Sequence, residues 1–279
     1  MLLAIDVGNT NTVLGLYALD SPDMIADWRI TTHRNQTSDE YGVLFLNLFA
    51  MRQIDVSKIT AIVVSSVVPP LDTTLRRLCE RYFGLRPMFV EPGIKTGMPL
   101  LVDNPAELGA DRIVNGVAAF ARYGGPIIVV DFGTATTFDV ISARGEYIGG
   151  VIAPGLGISA DALFSRAAKL ARVDIKRPPR VIGTNTIAHL QSGLFFGYIG
   201  LVDGILERML AEIEAGHPNG GSPVPKVIAT GGLAHMLHDD SKYITAIDDM
   251  LTLDGLRLLY ERNRSSRSRG APPAAVPAT

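Results

Sequence analysis

The chain contains one short segment twice, in altered form. Asp6-Val-Gly-Asn-Thr-Asn-Thr12 recurs as Asp131-Phe-Gly-Thr-Ala-Thr-Thr137, and a short apolar run precedes and follows each copy. Apolar runs bounded by turn residues predict strands, so each copy is expected to form a strand, a turn and a second strand. Two copies of this unit indicate a duplicated domain, which restricts the fold to two related halves.

The predicted elements after Gly124-Gly125 repeat those before it. Three strands, a helix, a strand and a helix are expected in both parts, which favours two similar α/β halves with a cleft between them. We expect residues 1–122 to form the first half and residues 123–263 the second. Residues 264–279 are rich in Ser, Arg, Pro and Ala, and we expect disorder there because little apolar surface offsets the ordering entropy.

The net charge and the cysteine content limit which binding partners and which cellular compartment we expect. The net charge of -2 argues against nucleic acid or an anionic membrane as the main partner. The single cysteine, Cys79, excludes an internal disulfide framework and fits a reducing cytoplasm. Asp6 interrupts the first apolar run too early for a signal peptide, and Gly193–Leu206 is shorter than the ~20 residues of a membrane span. We therefore expect a cytoplasmic protein.

The repeated turns have the residues of a phosphate site. Gly8 to Thr12 can present backbone N–H groups and side-chain donors to a polyphosphate. Asp6 and Asp131 end the preceding strands, where a carboxylate can hold Mg²⁺ directly or through water. The alternatives are a hairpin turn whose Asn and Thr side chains satisfy the local backbone, and a carboxylate that caps its own turn. The duplication favours a nucleotide held between two similar halves.

A third motif lies between the two copies. Asn104-Pro-Ala-Glu-Leu-Gly-Ala-Asp-Arg112 places Asp111 and Arg112 at the start of a predicted helix. One arrangement directs Asp111 at a substrate hydroxyl and Arg112 at a substrate carboxylate. The alternative is an ordinary pair of charges on a helix surface.

A later predicted helix has a stripe of glycines. Gly193, Gly197, Gly200 and Gly204 are spaced four, three and four residues apart, so they share one helix face. Each costs up to ~1 kcal/mol relative to alanine, which suggests that another backbone approaches closely. The stripe is either the seam of a homodimer or a packing face within one chain.

Taken in order, these motifs resemble the type III pantothenate kinase family. That family belongs to the superfamily of acetate and sugar kinases, heat-shock chaperones and actin. The resemblance runs from the N-terminus to about Asn263 and implies two ribonuclease-H-like domains with mixed sheets flanked by helices. It rests on the two repeats and on four further segments: Asp103 to Arg112, Gly149 to Gly155, Gly183 to Thr186, and Thr230 to Gly232.

The resemblance also implies an activity and a set of site residues. The expected reaction is phosphorylation of pantothenate by ATP with Mg²⁺, the first step of coenzyme A synthesis, in a homodimer. Asp111 would be the general base, and Asp131 would hold a monovalent cation, K⁺ or NH₄⁺. Val102 departs from the family, since many members have a substrate-lining tyrosine there. The implied ATP contacts are Asp6, Val7, Gly8, Asn9, Thr10, Asn11, Thr12, Val13 and Thr134, and the implied pantothenate contacts are Gly109, Ala110, Asp111, Arg112 and Thr186.

Two other functions are compatible with this scaffold. A non-catalytic accessory regulator is the main alternative, although every implied catalytic position is intact here. A nucleotide-driven chaperone or filament former generally carries a separate peptide-binding or polymerising region, for which this chain has no room.

Overall fold

A computed structural model describes residues 1–167, 169–216 and 223–267. The chain forms two compact units. Among the described residues, unit 1 contains Met1–Gly97, Asn104–Ala118 and the chain from Thr252 to Arg267. Unit 2 contains Met98–Asp103 and Ala119–Leu251.

Unit 1 is built on a five-stranded mixed sheet. Its strands are paired in the order β3-β2-β1-β4-β5, with β1 antiparallel to β2, β2 antiparallel to β3, and β4 parallel to both β1 and β5. The strands are β1 (Leu2–Val7), β2 (Asn11–Tyr17), β3 (Met24–Thr31), β4 (Ala61–Ser66) and β5 (Met88–Phe89).

Helices pack on both faces of this sheet. On one face, α1 (Ser38–Met51) and α2 (Pro69–Phe83) bury a core with alternate strand residues such as Leu3, Ile5 and Val64. On the other, α7 (Leu251–Arg267) lies so close to β2 that a Cβ on Gly15 would be 2.9 Å from Leu253. Unit 1 also holds the start of α3 (Ala110–Tyr123) and two short 3₁₀ turns, Val56–Lys58 and Pro105–Glu107.

Unit 2 repeats this sheet. The strand order is β10-β9-β6-β7-β8, with β6 antiparallel to β7, β7 antiparallel to β8, and β9 parallel to both β6 and β10. Its core lies between the sheet and the long helix α5, which contributes Phe195, Val202 and Leu206. The elements are β6 (Ile127–Phe132), β7 (Ala135–Ile141), β8 (Tyr147–Pro154), α4 (Leu156–Arg166), α5 (Thr186–Ala215), β9 (Lys226–Thr230), α6 (Ala234–Leu237), a 3₁₀ turn (His238–Asp240) and β10 (Ala246–Ile247).

The predicted fold class is confirmed. Numbered from the first strand of each unit, both sheets have the order 3-2-1-4-5 with the same strand directions, as a duplication requires. Each sheet is mixed and flanked by helices. The predicted cleft between the halves stays a prediction.

The last helix differs from its expected place and length. The predicted boundary put residues 252–263 in the second half, whereas their contacts place them in unit 1. The helix also continues to Arg267 and so includes residues 264–267, for which disorder was expected. An ion pair of 2.6 Å between Arg264 and Asp20 ties the helix end to unit 1. The rest of the expected tail, residues 268–279, lies outside the described residues.

The surroundings of Cys79 and the apolar content of the helices relate to the expected compartment. Cys79 is fully buried in the core of unit 1, and burial raises the pKa of its thiol to about 12, so it stays protonated at neutral pH. Within the ranges that the structure describes, no helix is both long and apolar enough to span a membrane.

Candidate functional site

The first of the two repeated turns connects β1 to β2 at one end of the unit 1 sheet. The Gly8 N–H donates to the Asn11 carbonyl at 3.0 Å and closes the turn. Asn9 and Thr10 are exposed at its tip, while Val7 is buried in the core, where its side chain has no access to a ligand. Of the predicted ATP contacts, the exposed tip and the backbone are therefore the parts that can meet a phosphate.

A neighbouring segment fixes this turn, and the sequence analysis missed it. The Thr32 N–H donates to the Thr10 carbonyl at 2.9 Å, and the Thr32 hydroxyl donates to the Gly8 carbonyl at 2.7 Å. The same hydroxyl lies 2.9 Å from the hydroxyl of Thr12. Arg34, two residues further on, donates to the Asn9 side-chain oxygen at 2.7 Å. The only signal in the sequence was that Thr32 and Arg34 follow β3, the strand that pairs with β2 next to the turn.

Asp6 lies beside a buried hydroxyl at the end of β1. Ser65 is paired with Asp6 in the parallel register of β1 and β4, so the two side chains share one face of the sheet. The Ser65 hydroxyl is fully buried and has no hydrogen-bond partner among the described residues. A buried hydroxyl without a partner costs folding free energy unless a water molecule or an ion interacts with it. With the hard carboxylate oxygens of Asp6, this pair fits a hydrated Mg²⁺.

Asp111 is the second residue of α3 and lies in unit 1 with the first turn. Its Oδ1 accepts the backbone N–H of Arg112 at 2.8 Å. A Cβ on Gly109 would lie 2.6 Å from the same oxygen, so glycine leaves room for the carboxylate. Burial raises the pKa of Asp111, and this effect outweighs the lowering by the Arg112 N–H and guanidinium. A raised pKa suits a carboxylate that must accept a proton.

The second turn connects β6 to β7 and holds Asp131 in a tight backbone cradle. A Cβ on Gly231, whose φ is +90°, would lie 2.5 Å from Asp131 Oδ1 and 2.7 Å from the Phe132 backbone N and O. The Thr134 carbonyl accepts the Gly155 N–H at 3.1 Å. Glycine at position 231 is therefore required by the closeness of Asp131 and by its own backbone conformation.

Thr186 lies elsewhere in unit 2, at the first position of α5. The Asn185 side chain caps this helix by accepting the Ala188 N–H at 2.9 Å. Thr186 is exposed and borders a cavity of about 450 Å³ between α4 and α5, whose other lining residues are Leu163, Leu170, His189, Leu190, Gly193 and Leu194.

The structure thus divides the predicted site residues between the two units. Unit 1 contains the first turn with its flanking residues Asp6, Val7 and Val13, and the segment Gly109 to Arg112. Unit 2 contains Asp131, Thr134, Thr186 and the half-buried Val102. Across residues 1–167, 169–216 and 223–267, no three His, Cys, Asp or Glu side chains are close enough to form a metal cluster.

Comparisons with known proteins agree with the sequence motifs. A sequence model of the family described as type III pantothenate kinase matches residues 2–208. The type III pantothenate kinase of Koribacter versatilis (strain Ellin345) is 62% identical over 274 residues, which cover 95% of this chain and 97% of that protein. The corresponding protein of Myxococcus xanthus (strain DK1622) is 56% identical over 266 residues, which cover 95% of this chain and 100% of that protein.

Solved structures share the fold at much lower identity. A conserved Campylobacter jejuni protein, provisionally described as a Baf family transcriptional activator, superposes with a TM-score of 0.56 at 20% identity, covering 94% of this chain and 99% of that one. The activator of 2-hydroxyisocaproyl-CoA dehydratase from Clostridium difficile, solved with bound ADPNP, has a TM-score of 0.50 at 10% identity, covering 98% and 99%. At such identities the likeness shows the fold alone.

Proposed function

This chain belongs to the type III pantothenate kinase family, and we propose that it transfers the γ-phosphoryl group of ATP to pantothenate. The product would be 4′-phosphopantothenate, in the first step of coenzyme A biosynthesis. The observation that carries the proposal is the 62% identity to a relative of that name over 95% of the chain. The single, buried cysteine supports a cytoplasmic location for this reaction.

The roles of the unit 1 residues follow from their geometry. The exposed tip of the first turn, Asn9 and Thr10, binds the phosphates, because its backbone is closed on itself and its side chains face solvent. Asp111 accepts the proton of the primary hydroxyl of pantothenate while that oxygen attacks the γ-phosphorus. The bond from the γ-phosphorus to the bridging oxygen breaks, and ADP leaves. Gly109 to Arg112 contact pantothenate at the start of α3, with the Arg112 guanidinium suited to its carboxylate.

We assign each implied cation to one of the two strand-end carboxylates. Asp6, beside the buried hydroxyl of Ser65, would hold Mg²⁺, which neutralises phosphate charge when bound. Asp131 would hold the monovalent cation, because its carboxylate lies near the end of β6 next to Gly231, which places no side chain beside its Oδ1. Thr134 in the second turn contributes to ATP binding, and Thr186 to pantothenate binding.

A coupled assay tests the proposal directly. ADP release from ATP is measured in K⁺ buffer with and without pantothenate, and we expect release that depends on pantothenate. A folded protein that turns over neither substrate would favour an accessory regulator instead.

Replacing the monovalent cation tests the role of Asp131. With K⁺ and NH₄⁺ exchanged for Na⁺ at constant ionic strength, we expect turnover to fall to background, because the resemblance to the family implies a requirement for K⁺ or NH₄⁺. Circular dichroism in both buffers shows whether the fold is kept. Full turnover in Na⁺ alone would remove Asp131 from this role.

We further propose that the protein is a homodimer that uses the glycine stripe of α5. No described atom comes within 4 Å of a Cβ placed on Gly193, Gly197 or Gly200, so packing within one chain does not explain these glycines. Large apolar side chains flank the stripe, including the partly buried Leu194 and Leu201. A second copy of the chain would bring a backbone against this face.

Gly197→Leu tests the dimer contact without disturbing the fold of one chain. Leucine has space in one chain and is about 1 kcal/mol better than glycine in a helix, so the chain should stay folded while the dimer dissociates. Light scattering after size exclusion gives the mass, and Glu212→Leu, about four turns away on the same helix, is the matched control. A Gly197→Leu protein with the mass of two chains would contradict the proposed seam.

A further inference from the structure

The segment that follows β3 places the positively charged side chain of Arg34 beside the first turn. The last paired residues of β2 and β3 are Asn11 and Thr31, and the Thr32 N–H extends this pairing to the Thr10 carbonyl. Residues 32–34 therefore run beside the turn in the opposite direction. At the end of this segment, the Arg34 guanidinium is 2.7 Å from the side-chain oxygen of Asn9.

The turn itself has no positive charge. Residues 6–13 contain no Lys or Arg, although the triphosphate of ATP is strongly anionic. Arg34 is exposed, and its guanidinium forms no ion pair with any acid among the described residues. Its hydrogen bond to the neutral Asn9 amide uses one of five donors. The remaining donors suit the bidentate binding of phosphate oxygens.

The second copy of the unit provides an internal comparison. There the last paired residues are Ala135 and Pro154, and the next N–H, that of Gly155, donates to the Thr134 carbonyl. Gly155 thus corresponds to Thr32, and Gly157 corresponds to Arg34. A Cβ on Gly155 would collide with the carbonyl of Thr134, so that place has no side chain. Counted from the last strand pair, the first copy therefore has an arginine at the position where the second copy has a glycine.

We propose that Arg34 is a phosphate-binding residue of the ATP site and contacts the terminal phosphates that occupy the first turn. This inference rests on the proposed function, because it takes ATP as the ligand. Thr32 positions the turn, Asn9 holds the guanidinium next to it, and the guanidinium supplies the charge that the turn lacks. Arg34 therefore distinguishes nucleotides with terminal phosphates from AMP.

Calorimetric titration of the full chain with the Mg²⁺ complex of AMPPNP, and with AMP, tests this role. We expect Arg34→Gln to weaken AMPPNP binding by about 10- to 100-fold, the size of one charge-assisted hydrogen bond, and to leave AMP binding unchanged. Arg34→Lys should recover part of the affinity, because it keeps the charge without the fork. Arg86→Gln is the matched control, since the Arg86 side chain is 93% exposed on the same unit and should have no effect.

Three outcomes decide between the explanations. Equal AMPPNP affinity of wild type and Arg34→Gln would overturn the inference and leave the proposed function standing. An Arg34→Gln variant that weakens AMP and AMPPNP binding by the same factor would also overturn it, because Arg34 would then not act on the terminal phosphates. A wild type that neither binds AMPPNP nor phosphorylates pantothenate would instead refute the proposed function.

Discussion

Asp111→Asn is expected to lower kcat for pantothenate phosphorylation by about 10²- to 10⁴-fold, the usual contribution of a general base. Asparagine has nearly the same shape but cannot accept the hydroxyl proton. ATP binding should be largely preserved, because the first turn and its contacts with Thr32 are untouched. A single-turnover assay with ATP and pantothenate measures the loss.

The same variant should not lose stability at neutral pH. Burial raises the pKa of Asp111 in the folded protein above its unfolded value. Between these two pKa values the folded state binds more protons, so stability decreases as pH rises through that window. Above this pH window the ionised carboxylate therefore destabilises the folded state. Neutral asparagine removes this loss of folding free energy. Urea unfolding of both proteins at neutral pH measures the difference.

The pH dependence gives an independent measurement. The acid limb of kcat/KM, which reports the free protein, should lie above the usual pKa of aspartate, about 3.9, because the base must be ionised. Asp239→Asn is the matched control, since its side chain is 89% exposed, and it should keep both the rate and the limb. If Asp111→Asn turned over pantothenate at the wild-type rate, Asp111 would not be the base.

Gly231→Ala is expected to cost at least about 3 kcal/mol of folding free energy. A Cβ at this position would lie 2.5 Å from Asp131 Oδ1 and 2.7 Å from the Phe132 backbone, at a φ of +90° that alanine rarely adopts. The end of β6 would have to move, and the Asp131 carboxylate with it. Any protein that still folds should therefore need more K⁺ for half-maximal activity.

The adjacent glycine is the control for this prediction. A Cβ on Gly232 has no described atom within 4 Å, so Gly232→Ala should unfold in urea near the wild-type midpoint. The two variants differ by one position and carry the same chemical change. Equal midpoints for both would show that Asp131 is not held by the cradle at Gly231.

A local signal in the sequence is enough to mark the start of one helix. The Thr37-to-Glu40 pattern has the form of a capping box. The structure contains both of its hydrogen bonds, at 3.3 Å and 2.7 Å, at the start of α1. Each bond joins residues three apart, so no distant part of the chain is needed to form it. The end of α7 was not predictable in this way, because Arg264 is held by Asp20, which is distant in sequence.

For the candidate site, too, the sequence indicated the residues that lie in continuous motifs and not those that come together by strand pairing. The two turns, Asp111 and Asp131 belong to motifs that are continuous in sequence, and the structure places each of them at a strand or helix end. Thr32, Arg34 and Ser65 were missed because each meets its partner through strand pairing. Thr32 is 20 residues from Thr12, and Ser65 is beside Asp6 only in the register of β1 and β4.

The sequence by itself determined the duplicated α/β fold and the family and singled out the candidate site residues, because repeats, turn residues and apolar periodicity are encoded over short stretches of chain. Only the tertiary structure decided the surroundings of those residues. It placed α7 in unit 1, withdrew Asp111 partly from solvent and thereby raised its pKa, pressed Gly231 against Asp131, and set Arg34 beside the first turn. These effects depend on which distant segments come into contact, and that depends on strand register and helix packing.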